Sequence, residues 1–327
     1  MNRKVWSGLC VLLVLSACRP EPCPCSEKGP LRRVTVALGG VSARTKVPGV
    51  SAAQEDAVTG SRLYVCLSAT GEMVASYPSD SGEWSFWLPG ETYDFCAVVN
   101  APELASWYDT REELFRAVTR LDAQAPGSFV MSGLLAGHLV TGDEKITVEV
   151  RRLVAKVTFA LHTDFDAVVA FDRFFVRSAY LTNVVAEADL SGRQVTEGAW
   201  YNRMGYAGDS LDGMLHAEIG RTMARRDSLD VRETFYACPN VCAENRDKQR
   251  WSPRRTRLVV EAQLDSVVTY YPVTFPEVRP NTHYHVDIII KYLGTEHPED
   301  EPRDHCFTAV VIRVEPWLAG SEHECEI

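Results

Sequence analysis

Hydrophobic and polar residues alternate along most of this chain, and the alternation changes phase near its middle. In residues 146–161, ITVEVRRLVAKVTFAL, Ile146, Val148 and Val150 share one face, whereas Leu153, Ala155, Val157, Phe159 and Leu161 fall on the opposite parity. A strand serving one core keeps one parity. The flip beside Arg151 and Arg152 therefore predicts a strand that leaves one hydrophobic core and enters a second, with a bulge inside one large sandwich as the alternative. The expected architecture is one sandwich before this point and one after it.

The flanking sequence follows the same rule. Residues 33–38 alternate with Val34, Val36 and Leu38 on one face and stop at Gly39-Gly40. Further strands are expected over 62–68, 128–131, 173–185, 233–237, 284–290 and 307–314. Residues 84–88 and 92–99 flank Pro89-Gly90, which predicts a hairpin with a tight type II turn, closed by Asn100. Residues 256–264 and 267–275 flank Asp265-Ser266 and predict another. The period lengthens only within 103–124, where Thr110 and Glu113 make a capping-box pattern and Leu114, Val118 and Leu121 recur at helical spacing. Glycines interrupt any period over 190–230, with 211–219 a candidate short helix. The fold class is all-β: two tandem, mostly antiparallel β-sandwiches with one or two short helices.

The ends add an address. The chain opens MNRK, runs apolar over residues 5–15 and then reads Leu15-Ser16-Ala17-Cys18, the layout of a secretory signal over 1–17 that is too short to span a bilayer. The tetrapeptide resembles a bacterial lipobox, which makes Cys18 the expected lipidation site and the outer membrane the expected partner through that lipid. Residues 18–30 are proline-rich and read as a tether, leaving 31–149 and 150–327 as the expected sandwiches. Residues 41–61, around Arg44-Thr45-Lys46, read as an exposed, protease-accessible loop.

Charge and chemistry narrow the function further. Without Arg3 and Lys4, the 34 basic and 44 acidic residues leave a net charge near −12, which argues against nucleic acid as a partner. Eight of the 10 cysteines follow Cys18; Cys66 and Cys96 lie in strand-like runs as small core residues, and Cys238 and Cys242 form either a local disulfide or half of a metal site that lacks a second pair. No Gly-x-Ser-x-Gly, His-Glu-x-x-His, phosphate-loop or dinucleotide motif is present, so no enzyme, cofactor or metal is expected. His283, His285 and Asp287 share one strand face, read as solvated rather than metal-binding. The basic stretch 246–257 is read as a solvated loop, and Trp84, Trp87, Trp200 and Trp251 either fill cores or stack on sugars.

Spaced along the chain are Leu88-Pro89-Gly90-Glu91-Thr92-Tyr93 leading to Ala97-Val98-Val99-Asn100, then Phe129-Val130-Met131-Ser132-Gly133, Arg152-Leu153-Val154-Ala155-Lys156, Asn281-Thr282-His283-Tyr284 and Glu315-Pro316-Trp317. Together these pieces resemble the fimbrillin-like (type V pilin) lipoproteins. The resemblance implies two transthyretin-like sandwiches, display on the cell surface in a fimbrium, and assembly with other fimbrial subunits by strand exchange. It also implies proteolysis after an arginine in the loop following the first strand; Arg44 matches, with Thr45 as the new terminus and Val34, Val36 and Leu38 on the released strand. Val310, Ile312 and Val314 form the candidate donor strand. Ten mostly polar residues follow Trp317, a departure from stalk pilins that suits a tip, accessory or anchor subunit binding a host protein or glycan.

Overall fold

The computed structural model describes residues 29–40, 52–195, 197–204, 210–244, 251–301 and 309–317. The protein is built almost entirely of β-strands, as the alternation predicts. Its first strand, Arg32–Gly39, buries Val34 and Val36 and turns Arg33 and Thr35 outward. It lies in the middle of a three-stranded sheet, antiparallel to Glu83–Leu88 and parallel to Glu144–Glu149. This sheet faces a five-stranded one ordered Met73–Ser79, Ser61–Leu67, Thr92–Val99, Met131–Leu139 and Arg151–Arg152. Val34, Val36, Phe86, Phe95, Ile146 and Val148 belong to the core between them, where Tyr77 stacks on Phe86 at 4.5 Å across the layers.

The five-stranded sheet is covered on both faces. On its outer side Tyr64, Cys66, Cys96 and Val98 meet Leu114 of the helix Arg111–Arg116 together with Leu153 and Leu190. Cys66 and Cys96 are therefore buried core residues, and both are free thiols, as are Cys238 and Cys242.

Glu83–Leu88 and Thr92–Val99 do not form the expected hairpin: they lie in opposite sheets and bury Phe86 and Phe95 in one core. Their burial patterns differ accordingly, alternating in the first and almost continuous in the second. Pro89-Gly90 is a corner between layers. Gly90 lacks the positive φ of a type II turn, and Glu91 N–H donates to the Pro89 carbonyl at 2.9 Å. The true hairpin pairs Ser61–Leu67 with Met73–Ser79, a strand whose weak alternation escaped the pattern.

The helix expected within 103–124 begins where the capping box places it, with Thr110 accepting from Glu113 N–H at 3.2 Å. It ends at Arg116. Val118–Arg120 instead pairs as a strand with Glu187–Asp189, leaving Val118 exposed, while Leu121 joins the core of the second half. Residues 211–219 hold one 3-10 turn, Gly213–Leu215, followed by the strand His216–Met223.

The phase change at residues 146–161 marks a passage through three sheets. Ile146, Val148 and Val150 belong to the first core, and Arg151–Arg152 is a short edge segment of the five-stranded sheet. Ala155, Val157, Phe159 and Leu161 lie on Ala155–Asp164, inside the core of the second half. That core lies between a sheet ordered Arg226–Asp230, Ala155–Asp164, Thr282–Ile290 and Ala309–Pro316, with Phe235–Ala237 beside the start of Ala155–Asp164, and one ordered His216–Met223, Phe174–Thr182, Arg257–Leu264 and Val267–Thr274. The last two strands form the expected hairpin, turning at Asp265 with φ +53°.

Asn100 fastens the end of Thr92–Val99 in a left-handed conformation, φ +58°. Its side chain accepts from Thr59 N–H at 2.8 Å and Thr59 Oγ1 at 2.9 Å, and donates to the carbonyls of Ala57 at 2.7 Å and Phe129 at 3.0 Å. Asn100→Ala is expected to lower the unfolding free energy by about 3 kcal/mol, and Asn100→Gly by less because glycine tolerates the φ. Urea denaturation of the three proteins checks the order; equal losses count against the backbone part of the argument.

Candidate functional site

The first strand is held on both sides and from its apolar face. Val34 and Val36 are fully buried; Leu38 is half-buried and packs against Gly82, where a Cβ would approach Leu38 Cδ1 to 2.7 Å. Backbone pairing runs along both sides, with Val36 between Trp84 and Ile146. Trp84 is 5% exposed, and its indole N–H meets no hydrogen-bond acceptor among the described residues. Removing the strand uncovers apolar side chains and two rows of backbone groups at once.

The candidate donor residues sit differently. Among the described residues Ala309–Pro316 is an edge strand with one neighbour, Thr282–Ile290, paired from Pro316 opposite Thr282 to Ala309 opposite Ile289. Val310 and Ile312 pack half-buried on the second core, but Val314 is 54% exposed, so the three do not act alike as their spacing implied. Cys18, Arg44 and Thr45 lie outside the described residues.

The motif residues Arg152, Lys156, Asn281 and Trp317, far apart in sequence, come together in one buried junction. Arg152 is 2% exposed and forms an ion pair with Asp56. Its Nε donates to the Glu55 carbonyl at 3.1 Å, and Nη1 donates to Asn281 Oδ1 at 3.3 Å and to the Trp317 carbonyl at 3.0 Å. The guanidinium lies 4.3 Å from the Trp317 ring centre. Glu55, at the end of the short helix Ala52–Glu55, takes Lys156 Nζ at 2.9 Å, Tyr236 Oη at 2.7 Å and Trp317 Nε1 at 3.2 Å on its carboxylate.

Two bases thus face two acids, which balances the charge of a site where an unpaired ion would be costly. Burial still pushes Arg152 down to about 10, leaving it charged at neutral pH, and raises the Tyr236 hydroxyl so that it stays a donor. Tyr236 stacks on Trp317, and Phe129 meets both rings. Glu55, Asp56 and Tyr236 carry no motif or periodic signal. A guanidinium inside an apolar stretch implies acidic partners but does not say which.

The remaining candidates are internally engaged. Thr158 Oγ1 lies 2.8 Å from His283 Nε2 and 2.9 Å from His285 Nδ1, and Asp287 is shared by His162, His285 and Arg313. Among the described residues no group of three or more His, Cys, Asp or Glu is placed to hold a metal ion. The described end of the basic stretch departs from the solvated reading: Arg254 and Arg257 are buried, and Arg257 pairs with Glu244 and Glu301. Trp84 fills the first core, Trp87 is exposed, and Trp200 meets Trp251 edge to face at 5.3 Å. A cleft of about 240 Å³ lies beside Arg62, Tyr64, Asp80 and Asn100. Arg62 and Tyr64 on its wall bond to Ser76 and to the Ala105 carbonyl.

No protein-family model matches the chain, and no curated protein matches it in sequence. Solved structures do match. A protein from Bacteroides eggerthii assigned to cell adhesion has a TM-score of 0.64 at 15% identity, over 88% of this chain and 97% of its own. A fimbrilin (FimA) from Porphyromonas gingivalis W83 has 0.62 at 15% identity, over 89% and 99%. The tip fimbrial protein Mfa3 from Porphyromonas gingivalis, truncated at its C-terminus, has 0.55 at 16% identity, over 88% and 100%. The chain therefore has the fold of the fimbrilins, as the resemblance in its motifs implied.

Desolvation, then the neighbouring charges of Lys156 and His285, pushes His283 from 6.5 down to about 4, against the opposing effect of Glu315 and Glu55. The unfolded chain takes up this proton below about 6.5 and the folded one only near 4, so stability falls as pH drops through that window. The melting temperature is expected to decline between pH 6.5 and 4, with a shallower decline in His283→Gln. Identical slopes in both proteins exclude His283 as a source of the acid sensitivity.

Proposed function

We propose that the protein is a structural subunit of a bacterial surface fimbria, exported as a lipoprotein on Cys18, matured by cleavage after Arg44 and assembled with other subunits by donor-strand exchange. Its role is mechanical rather than catalytic. The observation that carries the reading is the position of Arg32–Gly39, central in its sheet with Val34 and Val36 fully buried. Two such side chains bury roughly 3 to 6 kcal/mol of hydrophobic stabilisation as an upper estimate, comparable with the stability of a small domain. Loss of the strand leaves a slot between Glu83–Leu88 and Glu144–Glu149 with apolar side chains and unpaired backbone, a template for a strand from another subunit. Val310, Ile312 and Val314 supply the alternate spacing, on a strand that among the described residues has one neighbour, Thr282–Ile290.

A second reading, a tip or anchor subunit that adheres to a host protein or glycan, is favoured by the exposed indoles Trp87 and Trp107, at 58% and 48%. The fold likeness to a tip fimbrial protein agrees with it.

Filaments sheared from the cell surface are expected to contain this protein beginning at Thr45, and Arg44→Ala is expected to remain on the membrane, uncut and unassembled. Recovery of that variant in filaments with its first strand intact excludes strand release at Arg44. Metabolic labelling with palmitate is expected to mark the wild type and not Cys18→Ala; equal labelling of both rules out Cys18 as the lipid site.

A further inference from the structure

The first strand and the segment that follows it are anchored in different places. Arg32–Gly39 is held in the first core, whereas Glu55 and Asp56 are held at the junction by residues 152–317. Residues 41–51, between these anchors, lie outside the described residues. We propose that Glu55 and Asp56 form a latch tying the start of the processed chain to the end of the last strand at Trp317, so that a cut before residue 52 opens the first core while both chain segments stay seated. The purpose of the latch rests on the proposed cleavage after Arg44; the tie between Glu55, Asp56 and Trp317 does not.

The junction has the connectivity that a latch needs. Trp317 is gripped at three points: its indole N–H by Glu55, its carbonyl by Arg152, and its ring face by the Arg152 guanidinium. Arg152 in turn is held by Asp56 and by the Glu55 carbonyl. Its backbone N–H and Nη1 also converge on Asn281 Oδ1, while the Asn281 carbonyl accepts from Trp317 N–H at 3.0 Å. Neither Glu55 nor Arg152 reaches its full set of partners unless the early segment and the late one are both in place. Apolar side chains would fill such a site at least as stably, but they impose no such mutual requirement. Reciprocity follows: whatever loosens one end loosens the other by the same factor.

Amide hydrogen exchange on the intact, purified chain tests this directly. In Glu55→Gln/Asp56→Asn, protection of the Trp317 amide is expected to fall by about tenfold or more, while the Thr92–Val99 strand keeps its protection. Trp317→Phe keeps an aromatic ring but loses the N–H donor, and is expected to loosen the Ala57 amide, which bonds to the Gln54 carbonyl at 3.3 Å. Leu114→Ala, in the separate cluster outside the five-stranded sheet, serves as a general destabiliser. The latch is overturned if that control exposes both segments as strongly as the junction variants do, or if neither junction variant changes protection at the opposite end. Trypsin applied to the folded wild type adds a second arm: after cleavage at Arg44 or Lys46 and loss of the first strand, Trp317 and Ala57 are expected to keep their protection, and loss of both overturns the proposal. If the latch holds in these measurements while Arg44→Ala still enters filaments, the cleavage reading falls and the tie stands.

Discussion

A guanidinium removed from water has to bring its partners with it, and Arg152 sits where the chain leaves one hydrophobic core for another. Its position on the chain decides what must converge there. The Asp56 carboxylate, the Glu55 carbonyl, the Asn281 amide and the Trp317 carbonyl all turn toward it, drawn from early and late parts of the sequence. Lys156, four residues further along, pairs with the Glu55 carboxylate, and Phe129, Tyr236 and Trp317 pack on one another beside the pair. The halves are thus joined by a small site in which ions, hydrogen bonds and ring faces depend on one another.

The first and the last described strands are placed in opposite ways. The first strand pairs parallel to Glu144–Glu149, so its place in the sheet depends on contacts between residues about a hundred positions apart and on loops that must close around it. Among the described residues the last strand pairs with Thr282–Ile290 and packs on the core through Val310 and Ile312. The first strand is thus central and buried, and the last described strand lies at an edge of its sheet.

Local pattern was legible wherever burial is one-sided. Residues 33–38 and 284–290 alternate because one face is drier than the other, 256–264 alternates in sequence although Arg257–Val260 is buried on both faces, and each is a strand within a residue or two of its expected bounds. Thr92–Val99 also reads as a strand, but its partner was misjudged, since Pro89-Gly90 turns the chain equally well into a hairpin or across to the facing sheet. The capping box at Thr110 located a helix start and could not locate its end. There, pairing of Val118–Arg120 with Glu187–Asp189, nearly seventy residues on, outweighed local propensity.

Alternation and its change of phase were enough to determine an all-β chain whose apolar face switches cores beside Arg152, because the period of a strand and the side it buries are written in consecutive residues. The scattered motif residues Arg152, Lys156, Asn281 and Trp317 were also visible as separate pieces. Their meeting point was not. Which sheet each strand joins, that the first strand lies in the centre and the last at an edge, and that Glu55 and Asp56 neutralise the junction were decided by tertiary packing. A charge or a strand edge is satisfied by whatever the fold brings within a few ångströms, and sequence separation carries no information about that distance.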